Sequence, residues 1–227
     1  MNSKIKKFVN KILFQVLYPL SQLYLSKERH YRYQDIRIKV SPGVFHPGLF
    51  LSTKILLKHL EKIDLNNKTL LELGAGTGLI SIFAAKQNAI VTATDITSAA
   101  ITNIKENAEN NGVDVKVIQS DLFDNIPVQS FDLIIINPPY FPKDPKDEKE
   151  CAWFCGSNFQ FFNKLFEQVD NYINTSTEVI MILSEDCEIE KIMRIANKNS
   201  FDFIEIDKQR VWGEWNYLFN IKPEVPS

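Results

Sequence analysis

Residues Phe131–Tyr140, reading Phe-Asp-Leu-Ile-Ile-Ile-Asn-Pro-Pro-Tyr, constrain this chain more than any other stretch. An acidic residue leads into four consecutive aliphatics, and the run ends at an amide, two prolines and an aromatic. An apolar run this short, closed by a breaker, fits a strand buried on both faces, as in a parallel sheet. Pro138 and Pro139 carry no ladder donor and drive the chain out of the sheet, so Asn137 falls at the strand's carboxyl end. Open α/β sheets bind ligands in the crevice beyond those ends. Asn137 therefore has a functional position on physical grounds alone.

Strands and helices alternate around this run. Thr69–Leu73, Ala89–Asp95, Val113–Gln119, Phe131–Asn137 and Glu178–Leu183 read as strands. Leu79–Gln87, Ser98–Asn111, Phe159–Ile173 and Asp186–Asn197 read as helices, with Gly112 closing the second. Leu49–Leu60 is also helical in period, with Ser52 or Thr53 available as its cap. Phe201–Asp207 and Tyr217–Lys222 leave no room for a crossover helix, so an antiparallel hairpin is expected, with Arg210–Trp215 as its turn. The fold class is α/β, a doubly wound and mostly parallel sheet with helices on both faces. A chain of 227 residues suits one such domain with an appendage.

The appendage is the front end. Through Lys39 there are nine basic and two acidic residues, a balance of +7 that leaves −9 for the rest of a chain whose formal charge is −2. Ile5, Phe8, Val9, Ile12, Leu13, Val16, Leu17 and Leu20 form a helical stripe, with Lys4, Lys7 and Lys11 off it and Pro19 expected to kink or end it near Tyr18. This basic amphipathic helix is expected to pack on the domain or a second subunit, or to touch a membrane surface or RNA. No apolar stretch reaches transmembrane length, and a signal peptide fits poorly. Tyr31–Val40 alternates as a short strand or hairpin arm. The division expected is residues 1–40 as helix and basic arm, and 41–227 as the domain. Three cysteines without paired spacing argue against a disulfide framework and for a reducing cytoplasm. Cys151 and Cys155 lack the further ligands that zinc needs, so no metal is expected.

Chemistry concentrates at strand ends. Leu70-Leu-Glu-Leu-Gly-Ala-Gly-Thr-Gly78 follows a strand and opens a helix, and its glycines let backbone approach a ligand above a helix N-terminus. Asp95 ends the next strand, 21 residues after Gly74, where a carboxylate can accept from ribose hydroxyls. Leu79 stands where the dinucleotide fingerprint has its third glycine, so no pyrophosphate is demanded. Glu72 would repel a phosphate and suits a ligand bearing positive charge. Asp121, in Ser120-Asp-Leu-Phe123, can accept from an adenine amine while its neighbours flank the ring. One acidic residue of this kind is ordinarily a solvated loop residue. Three at successive strand ends of one sheet are not.

Together these residues resemble the class I S-adenosylmethionine-dependent methyltransferases, and Asn137-Pro-Pro-Tyr140 resembles the amino-methylating branch. From about Val44 to Lys222 the chain is similar to HemK-type glutamine methyltransferases, in Pro47, Asp121-Leu-Phe123, the tetrad, and Ala152-Trp153 followed by Gly156. The Phe45 region is also similar to the entry of small-domain ribosomal-RNA guanine methyltransferases. The resemblance implies a seven-stranded sheet and S-adenosylmethionine held by Glu72, Gly74, Ala75, Gly76, Thr77, Gly78, Asp95, Ile96, Asp121, Leu122 and Asn137. It implies catalysis by Asn137, Pro138 and Tyr140, with Pro139 among the residues facing substrate. Two departures stand out: Cys155 replaces an expected glycine, and Phe45-His-Pro-Gly-Leu49 lacks the acidic pair that commonly follows the proline.

The tetrad's composition suits a poor nucleophile. An amide or exocyclic amine delocalises its lone pair, and two acceptors on its N–H bonds, the Asn137 oxygen and the Pro138 carbonyl, pull it toward tetrahedral geometry. Tyr140 offers a ring face to a planar group. A protein glutamine, as in a release factor, is the expected substrate. An adenine or guanine amine in RNA or DNA is the alternative, and a non-catalytic cofactor-binding scaffold is a third reading. The charged run Lys143–Glu150 reads as a solvated loop that also suits a lid over the substrate pocket.

Overall fold

In the computed structural model, which describes residues 24, 26–48, 51–211 and 213–224, the chain opens with β1 (Arg29–Tyr33), β2 (Ile36–Val40) and α1 (Leu51–Leu60). It continues through β3 (Thr69–Leu73), α2 (Leu79–Lys86), β4 (Ile90–Asp95), α3 (Ser98–Asn110), β5 (Lys116–Gln119) and β6 (Leu133–Ile136). A 3-10 turn at Glu148–Ala152 and α4 (Gln160–Gln168) follow, with a second 3-10 turn at Val169–Tyr172. The chain then passes through β7 (Glu178–Ser184), α5 (Ile189–Lys198), β8 (Phe201–Val211) and β9 (Glu214–Pro223). The amphipathic stripe Ile5–Leu20 lies outside the described residues, as does Trp212.

The main sheet has seven strands in the order β5-β4-β3-β6-β7-β9-β8. Its first five strands are mutually parallel, and β9 runs antiparallel to both β7 and β8. β6 is buried along its whole length, as the apolar run requires. Ile134 and Ile136 face a core shared with α4 and α5, while Leu133 and Ile135 face a core shared with α1 and α2. Each such side chain contributes about 1.5–3 kcal/mol relative to exposure. The order reverses between β3 and β6, which places the crevice of the fold at their carboxyl ends. Leu73 of β3 pairs with Ile136 of β6, so Gly74 and Asn137 leave the sheet side by side.

β1 and β2 form a separate antiparallel hairpin. Its inner face puts Ile36, Ile38 and Val40 into the core beneath α1 and α2, so the residues before position 41 include a strand packed into the domain. Its outer face pairs His30 with Lys39 and Arg32 with Arg37.

Several boundaries differ from the sequence expectation. Ser52 and Thr53 lie inside α1 rather than capping it. Val113–Lys116 contributes only its last residue to β5. The α-helix expected over Phe159–Ile173 stops at Gln168 and tightens to a 3-10 turn. Its buried positions Phe166, Val169 and Tyr172 step by three, a spacing that the 3-10 repeat satisfies equally well. The turn expected over Arg210–Trp215 is shorter than that, because β8 and β9 pair as far as Val211 and Glu214. Trp215 is a strand residue, with the Lys208 ammonium 5.9 Å and the Arg210 guanidinium 5.8 Å from its ring.

Candidate active site

A cavity of about 420 Å³ occupies the crevice. Its walls include Glu72, Gly74, Ala75, Gly76, Thr77, Asp95, Ile96, Asp121, Leu122, Asn137, Pro138, Pro139 and Tyr140, so nearly every residue singled out from sequence meets there. Gly78 is the exception. It caps α2 behind the turn at φ 76°, packed so closely on Ile104 that an added Cβ would come within 3.0 Å of its Cγ2. Its task is the entry into the helix, not the cavity wall.

The turn is held from both sides. Ala75 N–H donates to the Thr94 carbonyl at 2.8 Å, and Gly76 N–H donates to Asp95 Oδ2 at 3.0 Å. Asp95 Oδ1 accepts from Thr97 N–H at 2.9 Å and from its hydroxyl at 3.1 Å. Burial raises the Asp95 pKa against these bonds. Glu72 is 5% exposed and accepts from both the backbone N–H and the hydroxyl of Ser81, in the first turn of α2. Burial pushes its pKa up to about 7, with the Ser81 bonds opposing and the Asp95 charge adding.

Gly74, at φ 69°, has nothing within 4 Å of the place a Cβ would occupy, so the backbone borders open space there. A bare turn beside the buried Glu72 and the half-buried Asp95 fits a ligand with a backbone-hugging chain and a positive charge, as S-adenosylmethionine has. The wall adds Asp144 and Glu148 to Asp121, and its one cation among the described residues, Lys164 on α4, is committed to Asp121 and Asp124. Lys164 Nζ lies 2.6 Å from Asp121 and 2.6 Å from Asp124. Asp121, expected as an acceptor for an adenine amine, is thus already shared with Lys164, a partner the sequence did not reveal. Leu122 beside it is left-handed at φ 51°. Among the described residues no group of three or more His, Cys, Asp or Glu is placed to hold a metal ion.

Asn137 is half-buried and Pro138 buried. Among the described residues neither the Asn137 amide nor the Pro138 carbonyl has a hydrogen-bond partner, which leaves two acceptors at one corner of the cavity. Tyr140 packs on Phe141 with ring centroids 4.7 Å apart. Burial raises its pKa well above the ordinary value, with Cys187, Glu214 and Asp186 adding, so it remains a neutral phenol. Burial also raises Cys151 and pushes Cys155 up to about 12, so neither cavity cysteine is a thiolate nucleophile.

The charged run after the tetrad folds back on itself. Phe141 N–H donates to the Trp153 carbonyl at 3.1 Å, and Cys155 N–H donates to the Phe141 carbonyl at 3.0 Å. This return places Asp144, Pro145 and Glu148 on the cavity and sets Trp153 against Phe45, ring centroids 6.0 Å apart and planes tilted by 60°. Phe45 in turn sits 3.7 Å from where a Gly76 Cβ would be. Sequence reading noted Phe45 and Trp153 as family markers and assigned neither a task. It passed over Asn103, Asn107 and Asn111, whose four-residue spacing was the available signal.

Comparison with known proteins agrees with this geometry. The family model described as the methyltransferase small domain matches residues 35–206. A Methanocaldococcus jannaschii protein provisionally named a protein N5-glutamine methyltransferase is 36% identical over 168 residues, covering 70% of this chain and 80% of the relative. The release factor glutamine methyltransferase of Lactococcus lactis is 31% identical over 163 residues, covering 66% of this chain and 59% of its own length. Among solved structures, a chain of the E. cuniculi complex responsible for methylation of the eRF1 translation termination factor superposes with a TM-score of 0.61. It is 20% identical, with 80% of this chain and 99% of that one covered.

Proposed function

The chain belongs to the methyltransferase small-domain family and is an S-adenosylmethionine-dependent methyltransferase; on that premise we propose that it methylates the side-chain amide of a glutamine in a protein of the release-factor kind. The observation that carries this reading is the corner formed by Asn137 and Pro138, two acceptors without a partner among the described residues, on the wall that also holds the glycine turn. The cofactor supplies a methyl group already activated on a sulfonium. What the protein must add is alignment and electrostatics. Asn137 Oδ1 and the Pro138 carbonyl accept the two N–H bonds of the amide, drawing its nitrogen lone pair out of conjugation. Tyr140 lies against the planar group, and the proton that the methylated nitrogen gives up leaves to solvent, so no side chain has to ionise.

The surroundings of Tyr140 support an uncharged amide over a phosphate-bearing group. Asp186 and Glu214 act on Tyr140 through their charge, and Asp144 and Glu148 add negative potential on the cavity wall. The names of the two relatives support the same choice. One observation favours the second reading, an amino group of RNA or DNA: the hairpin's outer face, where His30–Lys39 and Arg32–Arg37 are cross-strand pairs.

Asn137→Ala tests the reading. It is expected to bind S-adenosylhomocysteine as the native protein does while losing at least about 10²-fold in turnover, the scale of removing one preorganised polar contact to a reacting group. Turnover within a few-fold of native overturns the role given to Asn137.

A further inference from the structure

Three asparagines on α3 do something the glycine turn and the tetrad do not explain. Asn is a poor residue for a helix interior, yet Asn103 and Asn107 lie there, fully buried, with Asn111 at the end of the same face. Their amides pair with the free edge of β2 as a strand would. Asn111 Oδ1 accepts from Arg37 N–H at 3.0 Å and its Nδ2 donates to the Arg37 carbonyl at 2.8 Å. Asn107 repeats the pattern at Lys39, at 2.9 and 2.8 Å. Asn103 accepts from Ser41 N–H at 3.2 Å and donates to the Lys39 carbonyl at 2.9 Å. Four helical residues rise about 6 Å and two strand residues about 6.6 Å, so the two periods stay in step over three contacts.

Asn107 goes further than its neighbours. An amide has two N–H bonds, and the second one donates to the Thr77 carbonyl of the glycine turn at 3.0 Å. One side chain thus holds both the turn beneath the cavity and the strand that leads into Ser41–Gly48. That segment carries Phe45 onto Gly76 and Trp153. We propose that Asn107 is a positioning residue for cofactor binding, keeping the Phe45 segment in register with the glycine turn through its simultaneous bonds to Lys39 and Thr77. The inference rests on the assignment of the cavity to S-adenosylmethionine. It concerns how the two walls are kept together, which the tetrad does not determine.

The test compares Asn107→Ala with Asn111→Ala, which loses the same two kinds of hairpin bond, spends its second N–H on the Asn107 carbonyl at 2.7 Å within the same helix end, and has no tie to the turn. S-adenosylhomocysteine is the probe, titrated calorimetrically well below either melting midpoint. Asn107→Ala is expected to weaken binding at least tenfold and Asn111→Ala less than twofold, with kcat at saturating cofactor within about twofold of native for both. In a double-mutant cycle, Asn107→Ala in a Phe45→Ala background is expected to weaken binding by much less than tenfold, because the segment it positions no longer presents its ring. A merely structural role would leave the two losses additive. Equal affinity of Asn107→Ala and native protein, or additive losses, overturns the proposal. Failure of the native protein to bind the probe overturns the cofactor assignment instead. If Asn107→Ala does not fold, Asn107→Asp, which keeps the acceptor for Lys39 N–H and loses both donors, the one to Thr77 included, carries the same expectation and the same cycle.

Discussion

Glu72 shows how much a single buried carboxyl governs here. Its pKa of about 7 in the folded protein lies above the ordinary 4.5, so between these values the folded state keeps a proton that the unfolded chain releases. Stability from this group is full below about pH 4.5, falls as pH rises toward 7 and is flat beyond, over a span on the order of 3 kcal/mol. Glu72→Gln keeps an acceptor for Ser81 and removes the titration. Its melting midpoint is expected to exceed that of the native protein at pH 8 and to match it near pH 4. Asp95, also raised by burial, adds a dependence of the same sign. Thermal melts across this range check the point, and parallel profiles for the two proteins would refute it. Glu72, Asp95 and Asn137 were legible in the sequence because each stands at a strand end, where residue type and position coincide. Lys164 and Asn107 were not. Their partners, Asp121 and Thr77, lie 43 and 30 residues away, and helical periodicity carries no information about which loop a helix face meets.

At the scale of elements, entry into α2 depends on a backbone shape rather than a contact. Gly78 sits at φ 76° with Ile104 at its back, whereas Gly112 is left-handed at φ 66° with nothing near its missing Cβ. Gly112→Ala is expected to lose about 1 kcal/mol from conformation alone. Gly78→Ala adds a clash to that strain and is expected to lose about 2–3 kcal/mol, with weaker cofactor binding as the helix N-terminus shifts. Urea unfolding of the two variants measures the difference, and equal losses would remove the packing argument. Strands buried on both faces were readable to within two or three residues, since their apolar runs have hard ends. β8 was not. It is an edge strand with Glu205, Asp207 and Lys208 along it, and a register shift between Glu205 and Asp207 interrupts its alternation. Its last four residues pair with β9 through main chain, which composition does not record.

The whole molecule divides its charge, and that division separates the two candidate substrates. The contrast of +7 through Lys39 with −9 beyond it was visible in the sequence, but not that the hairpin would gather basic side chains on one outward face. Like charges directly across a ladder are unfavourable, so Arg32 opposite Arg37 is costly unless an anion lies over them. Lys39 is neutralised by Glu28 and Glu106, at 3.3 and 3.0 Å, which leaves the arginine pair as the strongest positive spot among the described residues of that face. Two phosphates of a single strand neutralised by the arginine pair would reduce kcat/KM about sevenfold between 50 and 200 mM salt. A glutamine presented by a protein, meeting the acidic cavity wall, is expected to change less than about threefold over the same range. Labelled cofactor added to a cell extract, with and without nuclease, identifies the macromolecule that takes up the methyl group, and the salt series is then run on it. The charge-reversed variant Arg32→Glu with Arg37→Glu adds the decisive contrast: unchanged transfer to protein under the glutamine reading, and loss of transfer under the nucleic-acid reading. Label in RNA or DNA with a steep salt slope abolished by that variant would replace glutamine with a base amine as the substrate, and would make the hairpin the surface that binds it.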